Sequence, residues 1–422
     1  MEILLILTFV GGYLLITLEH KIALDKAASA LLMGVMCWVV LALSARDAEA
    51  ITTQLTEHMG GISEILFFLL GAMTIVEMID LHGGFRVVTE RIRTTDKRKL
   101  FVILGLISFF LSAVLDNLTT AIVMASLSGK ILDNRQDRLL TAGLIVISAN
   151  AGGAWSPIGD VTTTMLWIGN QVTSTNLIKA VFLPSLACLL VPMLLLARHI
   201  KGHIEAIDTE PQRNIGTRER NILFVSGIGL LLFVPVFKTL THLPPFMGIM
   251  FAVGVLWIVT EILHKSKLHD ERKGFTVIHA LQRIDTPSIL FFLGILLAVA
   301  ALETYGTLHH LAQMLQHSVG NNMIVVTLIG LFSAVFDNVP LVAAVQGMYS
   351  LEQFPTDHTF WHYLAYCAGT GGSILIIGSA AGVTIMGIEK IEFFWYLKKI
   401  SFAALAGFLA GAGVYLLLNG MG

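Results

Sequence analysis

The chain has 422 residues, of which 55% are hydrophobic and only 13% are charged, and its mean hydropathy is +0.78. A soluble domain carries roughly 25% charged residues, so this composition excludes an ordinary soluble fold and indicates an all-α polytopic membrane protein. With 27 basic against 29 acidic residues, there is no positive excess with which to bind nucleic acid. Cys37, Cys188 and Cys367 lie inside apolar segments, so neither a disulfide framework nor a thiolate metal site is expected.

A helix needs roughly 20 apolar residues to cross a bilayer. Segments that read as full spans are, in chain order, 3–18, 27–45, 62–80, 176–197, 220–238, 246–264, 288–304 and 395–418. Four further apolar stretches, 100–131, 139–170, 322–350 and 359–388, are interrupted midway. Asp-Asn pairs interrupt the first and third, which we predict to be re-entrant hairpins. Glycine pairs interrupt the second and fourth, which we predict to be broken spans.

Each half of the chain would then contain three spans, a hairpin, a broken span and a final span. Because this is an odd number of crossings, the second half must be inverted. All but three of the 27 lysines and arginines fall on one side of this topology, the exceptions being Arg46, Lys179 and Lys238. By the positive-inside rule that side is cytoplasmic, and both termini are predicted to be periplasmic or extracellular. We therefore expect a first inverted repeat at 1–197, a cytoplasmic linker at 198–219 and a second inverted repeat at 220–422.

Internal similarity supports the two halves directly. The sequence Ser-Ala-Val-x-Asp-Asn occurs at 112–117 and again at 333–338, and a Gly-Gly pair occurs at 152–153 and again at 371–372. The separation along the chain is nearly constant, as a duplication requires. Inverted repeats with interrupted helices at matching positions are typical of secondary transporters, with the substrate site near the middle of the membrane. A close crossing of glycine-rich helices is the alternative explanation of the Gly pairs.

Asp116 and Asp337 fall at the predicted hairpin tips, where a carboxylate is costly and is usually functional. Asp160 follows the first glycine break, and its counterpart in the second half is Ser379. Hard cations prefer oxygen ligands, and the side chains predicted to bind an ion or a proton are Asp116, Asn117, Asn150, Asp160, Thr162, Thr163, Ser333, Asp337, Asn338, Ser373 and Ser379. A structural role of Asp116 and Asp337 as helix caps is the alternative, and the two roles can coexist. Supporting roles are expected for Ser112, Gly152, Gly153, Gly371 and Gly372.

No lysine or arginine lies centrally in the four interrupted segments. A dianionic substrate would need such a charge, or would depend on helix N-termini and co-transported cations. Three carboxylates without a basic partner therefore favour a cationic substrate.

At these residues the chain resembles the NhaD-type sodium/proton antiporters of the ion transporter superfamily. The motifs that carry the resemblance lie at 112–120, 148–164, 333–340 and 369–382, and with the repeats it extends over essentially the whole chain. Hairpin tips in the dicarboxylate branch of the superfamily carry Ser-Asn-Thr. Here they read Asp116-Asn117-Leu118-Thr119 and Asp337-Asn338-Val339-Pro340, which argues against simple dicarboxylate transport.

The resemblance implies exchange of sodium or lithium for protons across a bacterial inner membrane, without a cofactor, by a homodimer with a scaffold half and a moving transport half. Sodium is expected at Asp116, Asn117, Asp160, Asp337 and Asn338. The alternative is an anion carrier of the same superfamily, for arsenite, citrate or a dicarboxylate, with or without coupling to sodium. An enzyme is not expected, because His-Glu-x-x-His, Gly-x-Ser-x-Gly and Gly-x-Gly-x-x-Gly motifs are absent.

Overall fold

The structure is a computed structural model that describes residues 2–17, 22, 24–44, 48–89, 94–204, 216–265 and 274–420. Helices of the first half are α1 (Glu2–Thr17), α2 (Lys26–Ser44), α3 (Ala48–Leu81), α4 (Arg86–Thr89), α5 (Lys97–Ser112), α6 (Asn117–Ile131), α7 (Arg135–Ala154), α8 (Val161–Ile168) and α9 (Ser174–Leu196). Helices of the second half are α10 (Thr217–Thr241), α11 (Pro245–His264), α12 (Val277–Arg283), α13 (Thr286–Tyr305), α14 (Thr307–Val319), α15 (Asn322–Phe332), α16 (Asn338–Met348), α17 (Thr359–Gly371), α18 (Ala380–Glu389), α19 (Phe393–Lys399) and α20 (Ser401–Asn419).

The described residues contain helices and no strand, which confirms the all-α fold predicted from composition. Seven of the helices are long and apolar enough to cross a membrane, namely α2, α3, α9, α10, α11, α13 and α20. The shorter helix α1 is also apolar. The architecture is therefore that of a multi-pass membrane protein. The re-entrant course of the hairpins and the inverted orientation of the two halves stay predictions.

All four predicted interruptions are breaks between consecutive helices. The chain leaves helical geometry between α5 and α6, between α7 and α8, between α15 and α16, and between α17 and α18. Two other segments differ from expectation. Helix α3 starts at Ala48 and has 34 residues, because its first turns are polar and a search for apolar runs cannot detect them. The final span is divided at Ile400 into the short helix α19 and the long helix α20.

The helices pack into two groups that face each other. The first group contains α1, α2, α3, α10, α11 and α13, and the second contains the four interrupted segments with α9 and α20. Glycines allow the closest approach within the first group, since a Cβ built on Gly34 of α2 would lie 2.6 Å from the Gly294 carbonyl oxygen of α13. Helices α3 and α13 also contact the second group. The breaks therefore lie against a wall formed by the first group.

The duplication seen in the sequence recurs in the packing of the breaks. A Cβ on Gly152 would collide with the Phe109 carbonyl oxygen, and a Cβ on Gly371 would collide with that of Gly330. The hydroxyl of Ser112 donates to the Ala149 carbonyl at 2.6 Å, as that of Ser333 does to Ala368 at 3.0 Å. Each break is thus joined to its neighbouring hairpin by the same contacts in both halves.

Ion pairs join helix ends that the charge distribution assigns to one side of the membrane. Lys97 contacts Asp137 at 2.7 Å, and Arg138 contacts Glu389 at 2.7 Å. On the other predicted side, Lys238 donates to the Trp167 carbonyl at 2.7 Å. Some of the basic residues from which the two sides of the membrane were predicted lie outside the described residues, namely Lys21, Arg46, Arg91, Arg93, Arg213, Lys267, Arg272 and Lys273. Residues 205–215 of the predicted linker also lie outside them.

Replacement of Gly152 by alanine should destabilise the fold, because the new Cβ meets backbone rather than a movable side chain. Overpacking of this kind costs about 1–3 kcal/mol. Gly229 of α10, where an added Cβ meets nothing within 4 Å, provides the matched control. We expect Gly152→Ala to lower the melting temperature in detergent clearly and Gly229→Ala to leave it unchanged or slightly raised. Equal melting temperatures for the two variants would contradict the close approach.

Candidate ion-binding site

Four helices start in the interior of the molecule, and each has an oxygen at its N-terminal cap. Asp116 Oδ1 accepts from the Thr119 amide at 2.7 Å, and Asp160 Oδ1 accepts from the Thr162 amide at 2.9 Å. In the second half, Asp337 Oδ1 accepts from the Val339 amide at 3.1 Å, and Ser379 Oγ accepts from the Gly382 amide at 3.2 Å. The free N–H groups of a helix start favour negative charge, so this geometry stabilises the carboxylates. The helix-cap role considered from the sequence is present at Asp116 and Asp337, and Asp160 caps a helix in the same way.

Asp160 is the point at which the two halves meet. Its Oδ2 accepts hydrogen bonds from Asn117 Nδ2 at 2.7 Å and from Asn338 Nδ2 at 3.4 Å. These two asparagines are the first residues of α6 and α16. The Thr162 hydroxyl donates to the other oxygen at 2.8 Å. Asn150 continues the network, because its Oδ1 accepts from Asn117 at 3.2 Å and its Nδ2 donates to Ser379 Oγ at 3.0 Å. The Asp160 side chain, which is 2% exposed, thus accepts hydrogen bonds from both halves of the chain.

A cavity of about 70 Å³ separates this network from the first group of helices. Residues of the second group that line it include Asp116, Asn117, Asp160 and Asp337. The opposite wall is formed by Phe68, Leu69, Ala72 and Met73 of α3, by Ser288, Phe291 and Phe292 of α13, and by Lys26 of α2. An ion with a few waters fits this volume, since about 10–15 Å³ of space open to the centre of a water molecule is enough to hold one water.

Lys26 is the functional candidate that sequence reasoning missed. It is the only lysine or arginine among the described residues that line this cavity, and its Nζ lies 4.9 Å from the centre of the Phe291 ring. A lysine directly before an apolar span usually marks the membrane interface, so its position in the sequence carried no signal. The interrupted segments contain no central basic residue, as predicted, but a neighbouring helix brings one to the same cavity.

Two further cavities share Lys26 and Ala380 with the first. One, of about 270 Å³, is lined by Asp25 and Asp285 beside the starts of α2 and α13. The other, of about 120 Å³, contains Tyr13 and Asp337. Together they form a series of spaces from the ends of α2 and α13 towards the three aspartates.

Several predicted site residues bind backbone carbonyls at the breaks and do not line the cavity. The hydroxyls of Ser333 and Ser112 bind backbone carbonyls of the neighbouring break, and that of Ser373 donates to the Thr370 carbonyl at 2.7 Å. The Thr163 hydroxyl donates to the Asp160 carbonyl at 2.9 Å. These four bonds fix the shape of the breaks, and none of the four residues lines the cavity. Ser379 lines the adjacent cavity with Asp337.

The two hairpin turns differ in backbone conformation. Asp116 has a φ of 153°, in a region that favours glycine, whereas Asp337 has an ordinary φ of −54°. Both oxygens of Asp116 are bound by Thr119, the second through its hydroxyl at 2.8 Å. A strained residue of this kind persists only where its surroundings hold it in place.

Comparisons with known proteins identify similar transporters. The family described as "Citrate transporter" matches residues 13–364. Sodium/proton antiporter 1 of Arabidopsis thaliana is 46% identical over 424 residues, which cover 100% of this chain and 73% of that protein. The Na(+)/H(+) antiporter NhaD of Alkalimonas amylolytica is 30% identical over 97% of this chain and 89% of its own length.

Among solved structures, the YdaH transporter of Alcanivorax borkumensis has a similar fold, with a TM-score of 0.60 and 13% identity. The match covers 93% of this chain and 98% of that one, and the neighbour is described as having an unusual topology. This likeness concerns the fold alone. The family match shows that the chain belongs to the family described as citrate transporters, and its relatives show that it belongs to the NhaD-type sodium/proton antiporters.

Proposed function

We propose that the protein exchanges Na⁺, and also Li⁺, for H⁺ across a membrane by alternating access. The observation that carries the proposal is the charge around the cavity. Three carboxylates, those of Asp116, Asp160 and Asp337, line it, and Lys26 is the one basic side chain among the described lining residues. Three ionised carboxylates and one ammonium leave an excess of negative charge. Protons or a small cation can compensate it, and the names of the relatives support sodium as that cation.

The competition between the two cargo ions follows from the ligands. A carboxylate oxygen holds either a proton or part of a cation's coordination shell, and hard cations prefer oxygen donors. The amides of Asn117 and Asn338 suit both states, because each offers a donating NH₂ and an accepting oxygen. If Asp160 alternates between the two ions as the site faces each side in turn, the two fluxes are coupled in opposite directions.

The packing of the two groups of helices supports alternating access. The ligands belong to the second group of helices, whereas Lys26 and the aromatic wall belong to the first. Movement of one group against the other would open the cavity on either side. The cavity beside Asp25 and Asp285 supports a path from the end of the molecule that carries most of the basic loops.

We further propose a homodimer in which the first group forms the scaffold, with both termini on the side away from the basic loops. The relatives come from Arabidopsis as well as from bacteria. The bacterial inner membrane expected from the sequence is therefore one proposed location, and a plant membrane is another.

An anion carrier is the second candidate, favoured by the citrate-transporter family match and by Lys26. One ammonium beside three carboxylates does not attract a citrate trianion, and a cavity of about 70 Å³ leaves little room for it. We expect sodium-driven proton flux in proteoliposomes without any organic anion, and no increase when citrate or arsenite is added. Sodium flux that requires such an anion would select the second candidate.

Replacement of Asp160 by asparagine should abolish exchange while the fold is kept. The amide retains an oxygen for the Thr162 cap but can neither bind a proton nor supply a negative charge. We expect sodium-driven proton flux to fall roughly tenfold or more, since a charged hydrogen-bond partner contributes about 1.5–3 kcal/mol. Asp116→Asn and Asp337→Asn should also reduce it. Asp133→Asn, in the exposed turn after α6, is the matched control, and full flux in the Asp160 variant would refute the assignment.

Replacement of Lys26 by methionine should make stability depend more strongly on pH. At alkaline pH the carboxylates are ionised and lose their only lysine partner at the cavity, so the melting temperature should fall in sodium-free buffer. At mildly acidic pH, where protons compensate the carboxylates, the loss should be small. Added sodium should restore the melting temperature of Lys26→Met at alkaline pH. The melting temperature of Lys26→Arg should resemble that of the wild type at every pH. A uniform loss at all pH values would instead indicate a packing role.

A further inference from the structure

Three side chains with metal-ligand chemistry meet far from the proposed transport site. His82 directly follows the end of α3, His264 is the last residue of α11, and Glu219 lies in the first turn of α10. The packing of these three helices in the first group brings the side chains together. Among the described residues they form the one group of three or more His, Cys, Asp or Glu with ligand atoms close enough to share an ion.

Two of the three distances between the ligand atoms are close to those of a tetrahedral metal site, and the third is that of a hydrogen bond, which must lengthen when an ion binds. His82 Nε2 lies 3.4 Å from His264 Nε2 and 3.7 Å from Glu219 Oε1, while His264 Nε2 lies 2.5 Å from the same oxygen. Ligand atoms about 2.0–2.1 Å from a tetrahedral Zn²⁺ are about 3.3–3.4 Å apart. The two rings are within 20° of parallel, so a rotation of one ring must accompany binding.

A hydrogen bond to the backbone fixes the tautomer of His82 that can bind a metal through Nε2. His82 Nδ1 lies 2.8 Å from the Met78 carbonyl oxygen, which can only accept, so Nδ1 carries the hydrogen. In neutral His82 the Nε2 lone pair is then directed to the other two groups. This hydrogen bond from the second ring nitrogen to a carbonyl is typical of metal-bound histidine.

Burial distinguishes this group from a surface cluster. His82 is 0% and His264 is 3% exposed, and the Phe275 ring lies 5.3 Å from the centre of His82. The Glu219 side chain is 13% exposed, which leaves a route for a small ion. Two buried imidazoles beside one carboxylate are nitrogen and oxygen ligands of the kind that zinc sites use.

We propose that His82, Glu219 and His264 bind a divalent transition-metal ion such as Zn²⁺. The ion would replace the proton between His264 and Glu219, and that proton leaves to solvent on binding. A bound metal ties the end of α3 to α10 and α11. Because α3 also carries Phe68, Leu69, Ala72 and Met73 of the cavity wall, the metal would hold that wall in place.

The test is a Co²⁺ titration of the full-length, chelator-treated protein in detergent micelles. We expect one equivalent per chain with the visible spectrum of tetrahedral Co²⁺, which Zn²⁺ then removes. His82→Gln, His264→Gln and Glu219→Gln should each weaken binding roughly tenfold or more. His309→Gln, on the exposed face of α14, is the matched control.

A rescue variant separates loss of the site from loss of the fold. His264→Cys keeps a zinc ligand, so it should retain binding and add a sulfur-to-cobalt charge-transfer band. Zn²⁺ should raise the melting temperature of the wild type and of His264→Cys, but not that of Glu219→Gln. Absence of stoichiometric binding by the wild type, or binding that survives all three glutamine substitutions, would overturn the proposal.

Discussion

Four helices begin inside the molecule, where water is scarce, and the backbone N–H groups at each start must find an acceptor. An unsatisfied buried donor costs about 1–3 kcal/mol, so a cap at each break is a condition of folding. Three of the four caps are carboxylates, at Asp116, Asp160 and Asp337, and the fourth is the hydroxyl of Ser379. The same oxygens thus close the helices and form the charged side of the cavity. Folding and the proposed ion binding would therefore depend on the same side chains.

This constraint also explains the close packing around the breaks. A broken helix cannot be exposed to lipid, because its free polar groups would face hydrocarbon. Gly152 and Gly371 let the breaks lie directly against the neighbouring hairpins, and the Ser112 and Ser333 hydroxyls bind the carbonyls there. The first group of helices then covers the open side. What remains is a small space with carboxylates on one wall and mainly apolar side chains on the other.

The sequence predicted much of this arrangement, because the interruptions are local features. Asp-Asn and Gly-Gly pairs within apolar runs locate every break, and the duplicated motif indicates which breaks correspond. Contacts between distant elements could not be predicted in the same way. Lys26 reaches the cavity because α2 packs on α13, and the group of His82, Glu219 and His264 depends on three helix ends meeting. Some polar side chains near the breaks bind backbone carbonyls, and the sequence does not distinguish these from side chains that line the cavity. Ser333 is an example, because its hydroxyl donates to the Ala368 carbonyl and it does not line the cavity.

The turns at Asp116 and Asp337 have an additional consequence. They share the sequence Ser-Ala-Val-x-Asp-Asn, yet φ is 153° in one and −54° in the other. One molecule therefore displays two backbone states of a single motif side by side. A residue in a sparsely populated region costs about 1–3 kcal/mol, an amount that one hydrogen bond to a charged group can supply. Both carboxylate oxygens of Asp116 accept hydrogen bonds from Thr119. The cap that starts α6 therefore also offsets a backbone cost that the turn at Asp337 does not carry.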